Sequence, residues 1–199
     1  SIVTTGSNFM IGNGYLGYRG TFTEWEQEHY VACTVTDTWD TAPGSEWREL
    51  CTVPNALFAQ IRIDDEMLSA FEGKSSEYHR ELNLRYGLNQ RSCIWQGTHG
   101  KRLHLTVEKF ASYDNVHLVP MRLSIKALDP MEIKLQAGID GRIWSLNGDH
   151  FKEYNLFSKG DLLGIETHTH ELGIQVDVVC GLKISGAEPS EVTTIEQDQ

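Results

Sequence analysis

Nowhere in the sequence do apolar residues recur at i, i+3, i+4 and i+7 over a dozen positions, so no long amphipathic helix is expected. No apolar run approaches the roughly 18 residues that cross a bilayer as a helix. Basic residues are the minority: 17 Lys and Arg against 28 Asp and Glu leave a net charge of −11. Nucleic acids and anionic membranes are held by clustered Lys and Arg, so neither is expected as a partner. Cysteine is sparse and forms no Cys-x-x-Cys pair. Cys33, Cys51, Cys93 and Cys180 sit in strand-like contexts and read as buried thiols rather than two disulfides. The first residues lack the charged-then-apolar pattern of a secretory signal, which fits a cytoplasmic protein. Internal repeats and low-complexity segments are missing too.

What is present is alternation. Leu57, Ala59, Ile61 and Ile63 point opposite to Gln60 and Arg62, and Asp64-Asp65 turns the chain. Leu82, Leu84 and Tyr86 form a second such run ending at Gly87. Leu103 to Val107, Val119 to Ile125, Met131 to Ile139 and Ile174 to Val178 follow the same period of two. Each run is a half-buried strand, and turn residues separate them. The fold class is therefore all-β, a large antiparallel β-sandwich. The 199 residues suffice for one domain with a sizeable core. We read 1–186 as that domain, and the polar, acidic 187–199 as a tail or the start of a linker. One segment breaks the alternation: Thr36 to Asn55 reads as a long irregular loop, a feature usually tied to function.

The densest special chemistry lies in Ile11-Gly12-Asn13-Gly14-Tyr15-Leu16-Gly17-Tyr18-Arg19-Gly20. Glycine costs backbone entropy and packs no side chain, so four in nine positions imply unusual dihedrals or close backbone approach. Asn13-Gly14 is a tight-turn dipeptide. The spacing Gly12-x-Gly14-x-x-Gly17, with Asp37 twenty residues on, imitates a dinucleotide fingerprint. That motif needs a helix opening at its last glycine. Tyr18-Arg19-Gly20-Thr21-Phe22-Thr23 cannot open one, so the nucleotide reading fails.

The same stretch, with Phe9 before it and Glu24 and Glu26 after it, resembles the opening signature of glycoside hydrolase family 65. Glu49-Leu50 with Pro54-Asn55 is similar to a second family block. So are Arg80-Glu81-Leu82-Asn83-Leu84 with Gly87, Arg91 and Trp95, then Phe110-Ala111-Ser112, then Ile139-Asp140-Gly141. The order of these blocks over residues 9 to 145 is more specific than any one of them. The resemblance implies a galactose-mutarotase-like super-sandwich that precedes a helical (α/α) barrel, absent here, which carries the catalytic glutamate and the phosphate site. It further implies an α-linked disaccharide and inorganic phosphate as the substrates of the whole enzyme, no cofactor, β-glucose 1-phosphate as product, and a homodimer. No catalytic residue is carried over to this chain. A trehalase-like hydrolase and a free-standing carbohydrate-binding or mutarotase-like module are the alternatives.

Candidate residues are few. Asn13, Gly14, Gly17, Arg19 and Gly20 are read as structural; Arg19 either binds an anion or pairs with Glu24 or Glu81. His168 and His170 share a strand face in Thr167-His168-Thr169-His170-Glu171, but no third ligand stands at metal spacing, so no metal is expected. His99 reads as a hairpin tip. Trp95 and Trp144 read as packing. Trp39 and Trp47, in the long loop with Asp37 and Asp40, either line the approach to a sugar site, with Trp39 stacking and an aspartate accepting a hydroxyl, or plug one end of the sandwich.

Overall fold

The computed structural model describes residues 2–25, 27–186, 189 and 193. Glu26 and nearly all of the 187–199 tail lie outside the described residues. Two short helical turns, Ile2–Asn8 and Gln27–His29, accompany an all-β chain. In chain order the strands are β1 (Ile11–Gly12), β2 (Leu16–Tyr18), β3 (Cys33–Asp40), β4 (Glu49–Val53), β5 (Asn55–Ile63), β6 (Glu66–Met67) and β7 (Lys74–Asn83). There follow β8 (Leu88–Gln96), β9 (Arg102–Phe110), β10 (Met121–Ala127), β11 (Ile133–Asp140), β12 (Phe151–Lys159), β13 (Leu162–Thr169) and β14 (Gln175–Gly181). They form antiparallel sheets ordered β1-β2-β3-β4, β10-β9-β8-β7, β11-β5-β6 and β12-β13-β14.

The predicted alternation is what packs these sheets. Inward positions of β8 and β9 put Cys93, Trp95, Leu103, Leu105 and Val107 against Ile61 and Ile63 of β5. A second core joins Cys51 and Val53 of β4 to Phe151 and Val176. Ile11, Tyr18 and Leu57 form a third, between the glycine-rich hairpin and β5. Trp95 is buried and donates its indole N–H to the Ser69 and Glu72 carbonyls, as a packing residue should. His99 sits in the β8–β9 turn, as expected. All four cysteines are free thiols, and burial raises the thiol pKa of each.

Two expectations need correction. The strand drawn through Leu84 and Tyr86 ends at Asn83; those two side chains are 84% and 68% exposed. Asn83 accepts the Arg85 amide through Oδ1 and the Tyr86 amide through its carbonyl, which turns the chain before the alternation runs out. The segment from Thr36 to Asn55 is no irregular loop. It holds the end of β3, a short connection and all of β4. A register shift between Thr34 and Trp39, with Asp37 at φ +63°, breaks the period of two there and hides the strand.

The glycine-rich hairpin is anchored at both ends. Asn13 uses its whole amide: Oδ1 accepts from the Tyr15 and Leu16 amides, and Nδ2 donates to the Ser112 and Val116 carbonyls. Gly14, at φ +88°, makes the turn. Beyond it, the chain runs over one end of the inner face of β8 and β9. There the inward series changes character, from Cys93 and Trp95 to Asn89 and Arg91 on β8, and from Leu105 and Val107 to Lys109 on β9. Asn89 donates to the Phe9 carbonyl at 2.6 Å, Lys109 to that of Thr21 at 2.7 Å, and Arg80 to that of Gly20. Glu24 is bound by Arg91 at 2.6 Å, both side chains being buried, while Glu81 meets His79.

Gly20 and Gly17 are expected to differ in what a methyl group costs. At Gly20 a Cβ would overlap the Phe9 backbone, which cannot swing away. At Gly17 it would meet the flexible end of Met10 at 2.7 Å. In urea unfolding, Gly20→Ala should lose on the order of 1–3 kcal/mol, and Gly17→Ala clearly less. Equal losses would contradict this.

A candidate cleft beside a braced hairpin

Gly17, Thr34 and Thr52 are register partners across β2, β3 and β4. Three small side chains in a row leave a trough in a sheet whose neighbours are larger. The result is a cleft of about 300 Å³ walled by Met10, Arg19, Glu49, Leu50, Trp144 and Leu146. Its mixture of one indole, one guanidinium and one carboxylate around a polar floor suits a polyhydroxylated ligand. Two members of the glycine stretch, Gly17 and Arg19, thus line the cleft. Trp144, expected as packing, is only half-buried; it meets Tyr30 edge to face and faces the cleft.

Behind the Glu49 wall lies a buried polar chain. The His150 ring is fully buried and contacts Asp40 through Nδ1 at 3.1 Å and Glu49 through Nε2 at 2.5 Å. Asp40 also accepts the Glu171 amide at 2.6 Å, and Glu49 the Asn147 amide at 3.0 Å. Glu171 in turn accepts from the Thr41 amide and, in a forked pair, from Arg48. Those bonds hold its carboxyl below the usual range and Arg48 above its own. The β3–β4 hairpin is therefore bolted to the end of β13 and to the segment before β12.

This geometry separates the residues that sequence reasoning put together. Asp40 is fully buried and occupied by His150, so it cannot receive a sugar hydroxyl at the surface. Trp39, its neighbour on the strand, points the other way and is 45% exposed; Asp37 shares that outer side. Trp47, in the hairpin connection, is 56% exposed. Neither tryptophan plugs the sandwich. β13 ends at Thr169, so His168 lies on the strand and His170 is the first residue past it; both are half-buried, alternating with the buried Thr167 and Thr169. Sequence reasoning missed His150, Glu171 and the Gly17-Thr34-Thr52 floor. No spacing joins His150 to Asp40, 110 residues away; only strand register shows the floor.

Over residues 3–199 the chain matches the family described as "Glycosyl hydrolase family 65, N-terminal domain". It belongs to that family. It is 40% identical over 188 residues to the 1,2-alpha-glucosylglycerol phosphorylase of Bacillus selenitireducens, covering 94% of this chain and 24% of that enzyme. Against the nigerose phosphorylase of Lachnoclostridium phytofermentans the identity is 29%, covering all of this chain and 29% of the relative. A solved structure named as a candidate kojibiose phosphorylase from the human microbiome superposes with a TM-score of 0.79 at 21% identity over 90% of this chain, which supports the sandwich fold. This domain spans about a quarter of the length of these relatives.

The buried chain and the exposed tryptophan should respond oppositely to truncation in this family 65 domain. Asp40→Ala leaves His150 and the Glu171 amide without an acceptor and should cost on the order of 2–4 kcal/mol in denaturant unfolding. Trp39→Ala should change stability by less than about 0.5 kcal/mol. A large loss at Trp39 would restore the plug.

Proposed function

We propose that the chain is the non-catalytic N-terminal sandwich of a cytoplasmic, dimeric α-glucoside phosphorylase. In this reading a helical barrel elsewhere in the polypeptide carries the general acid and the phosphate site, and inorganic phosphate attacks an α-linked disaccharide to release β-glucose 1-phosphate. The domain, residues 1–186 with 187–199 leading to the barrel, buttresses the barrel. Its β3–β4 hairpin reaches the mouth of the active site with Asp37, Trp39 and Trp47. The observation that carries the reading is the match of the whole domain to enzymes named as phosphorylases of α-glucosides, of which it covers about a quarter.

A second reading, a carbohydrate-binding module, draws on the same cleft, whose volume admits a monosaccharide and whose wall holds Trp144, Arg19 and Glu49. The two separate in activity. The polypeptide encoded by the complete gene should release glucose 1-phosphate from at least one of glucosylglycerol, nigerose or kojibiose only when phosphate is present. Residues 1–199 alone should turn over none. In the full enzyme, Trp39→Ala should raise KM for the disaccharide about fivefold or more with little change in Tm. Phosphate-independent cleavage would favour a hydrolase, and turnover by 1–199 would overturn the proposal.

A further inference from the structure

We propose that Thr21, Arg80, Arg91 and Lys109 form an internal site for one small monovalent anion of the halide class, chloride in ordinary solution. The site lies under the glycine-rich hairpin, away from the cleft, and does not depend on the enzymatic reading.

Charge is the first observation. Arg80 of β7 and Arg91 of β8 are direct register partners, which sets two guanidiniums opposite each other. Like charges so placed repel, and guanidinium does not lose its proton in proteins. Lys109 stands beside both, on β9. Among the described residues one carboxylate acts on this group, Glu24, and it is already bonded to Arg91. Even with a neutral lysine, one positive charge is left over in a buried place, where charges normally occur compensated. Tyr78 lies beside Arg80 and Cys93 beside Arg91; burial pushes the Cys93 thiol up, so it supplies no negative charge. Ring faces give part of the answer. Phe22 lies 3.7 Å from the Arg91 guanidinium carbon and Phe9 4.0 Å from that of Arg80, with Tyr18 4.8 Å from the Lys109 nitrogen.

Donors are the second observation. Arg80 Nε and Nη1, Arg91 Nε and the Thr21 hydroxyl are buried without a hydrogen-bond partner among the described residues. Thr21, Arg91 and Lys109 are 2%, 5% and 3% exposed. These groups line one cavity of about 10 Å³, room for a single water-sized particle. Phosphate or sulfate would not fit, whereas a monatomic anion would meet donors on several sides. One water, whose oxygen accepts about two hydrogen bonds, would leave some of these donors unmet and the charge uncompensated.

Lys109 reports on occupancy. Burial first, then Arg80 and Arg91, push its amine down from 10.5 to about 7. The unfolded chain keeps that proton to higher pH, so stability should rise as pH increases from about 7 toward 10. An anion next to the amine favours its charged form and moves the onset of that rise upward.

The test is thermal unfolding of the chain at constant ionic strength, with sodium chloride or bromide replacing sodium gluconate, followed by bromide-soaked crystals. We expect Tm to rise by about 3 °C when halide exceeds its dissociation constant tenfold. Sulfate should give no comparable rise, and the onset of the pH-dependent rise should shift upward in chloride. Lys109→Met should lose at least half of the halide effect. A bromide anomalous peak between Arg80 and Arg91 would decide the matter should that variant fail to fold. No halide dependence, an equal effect of sulfate, or a water in place of bromide would overturn the proposal.

Discussion

The backbone of Gly20 passes so close to that of Phe9 that no side-chain carbon fits between them. That approach sets the path of the chain from the first helical turn to β3. It brings the carbonyls of Phe9, Gly20 and Thr21 over the polar end of the β8–β9 inner face, within reach of Asn89, Arg80 and Lys109. A sheet face that ended in apolar residues would leave those carbonyls unsatisfied. One that ended in cations without the carbonyls and aromatic rings above would bury bare charge. Each half is tolerable only because the other is there.

The family motifs, scattered over more than a hundred residues, meet in space for the same reason. Asn13 reaches Ser112, Tyr18 donates to Asn55, Asp140 pairs with Asn55 across β11 and β5, and Glu24 closes on Arg91. The Tyr18 phenol lies deep enough that burial, then Cys33 and Asp140, raise it well above its ordinary range. These are cross-sheet bonds between segments far apart in sequence, so they fix how the sheets stack rather than how any one strand forms.

Period-two alternation was enough to locate β5, β9, β10, β11 and β14, since apolar and polar residues alternate along most of each strand. It failed where residue type and geometry part company. Leu84 and Tyr86 continue the apolar pattern after Asn83 has already turned the chain. Around Asp37, which has a positive φ, β3 advances five residues while β4 advances two, so Trp39 and Asp40 seem to belong to an irregular loop while they lie on opposite sides of a strand. The cleft was legible in part: Gly17, Arg19 and Glu49 stood in quoted motifs, but a trough made of Gly17, Thr34 and Thr52 exists only once three strands are in register.

The bracing of the β3–β4 hairpin bears on what its exposed face is for. Asp40, His150, Glu171 and Arg48 fix the hairpin from within by bonds that span more than a hundred residues. On the other side stand Asp37, Trp39 and Trp47, turned to solvent. Exposed indoles on a mobile loop would lose much of their contact energy to ordering when a surface or ligand arrived. On a strand whose neighbours are already bonded, the backbone entropy is spent during folding, so a larger share of each aromatic contact appears as affinity. A buried network that makes no contact with a ligand can in this way govern how tightly the face beyond it binds one.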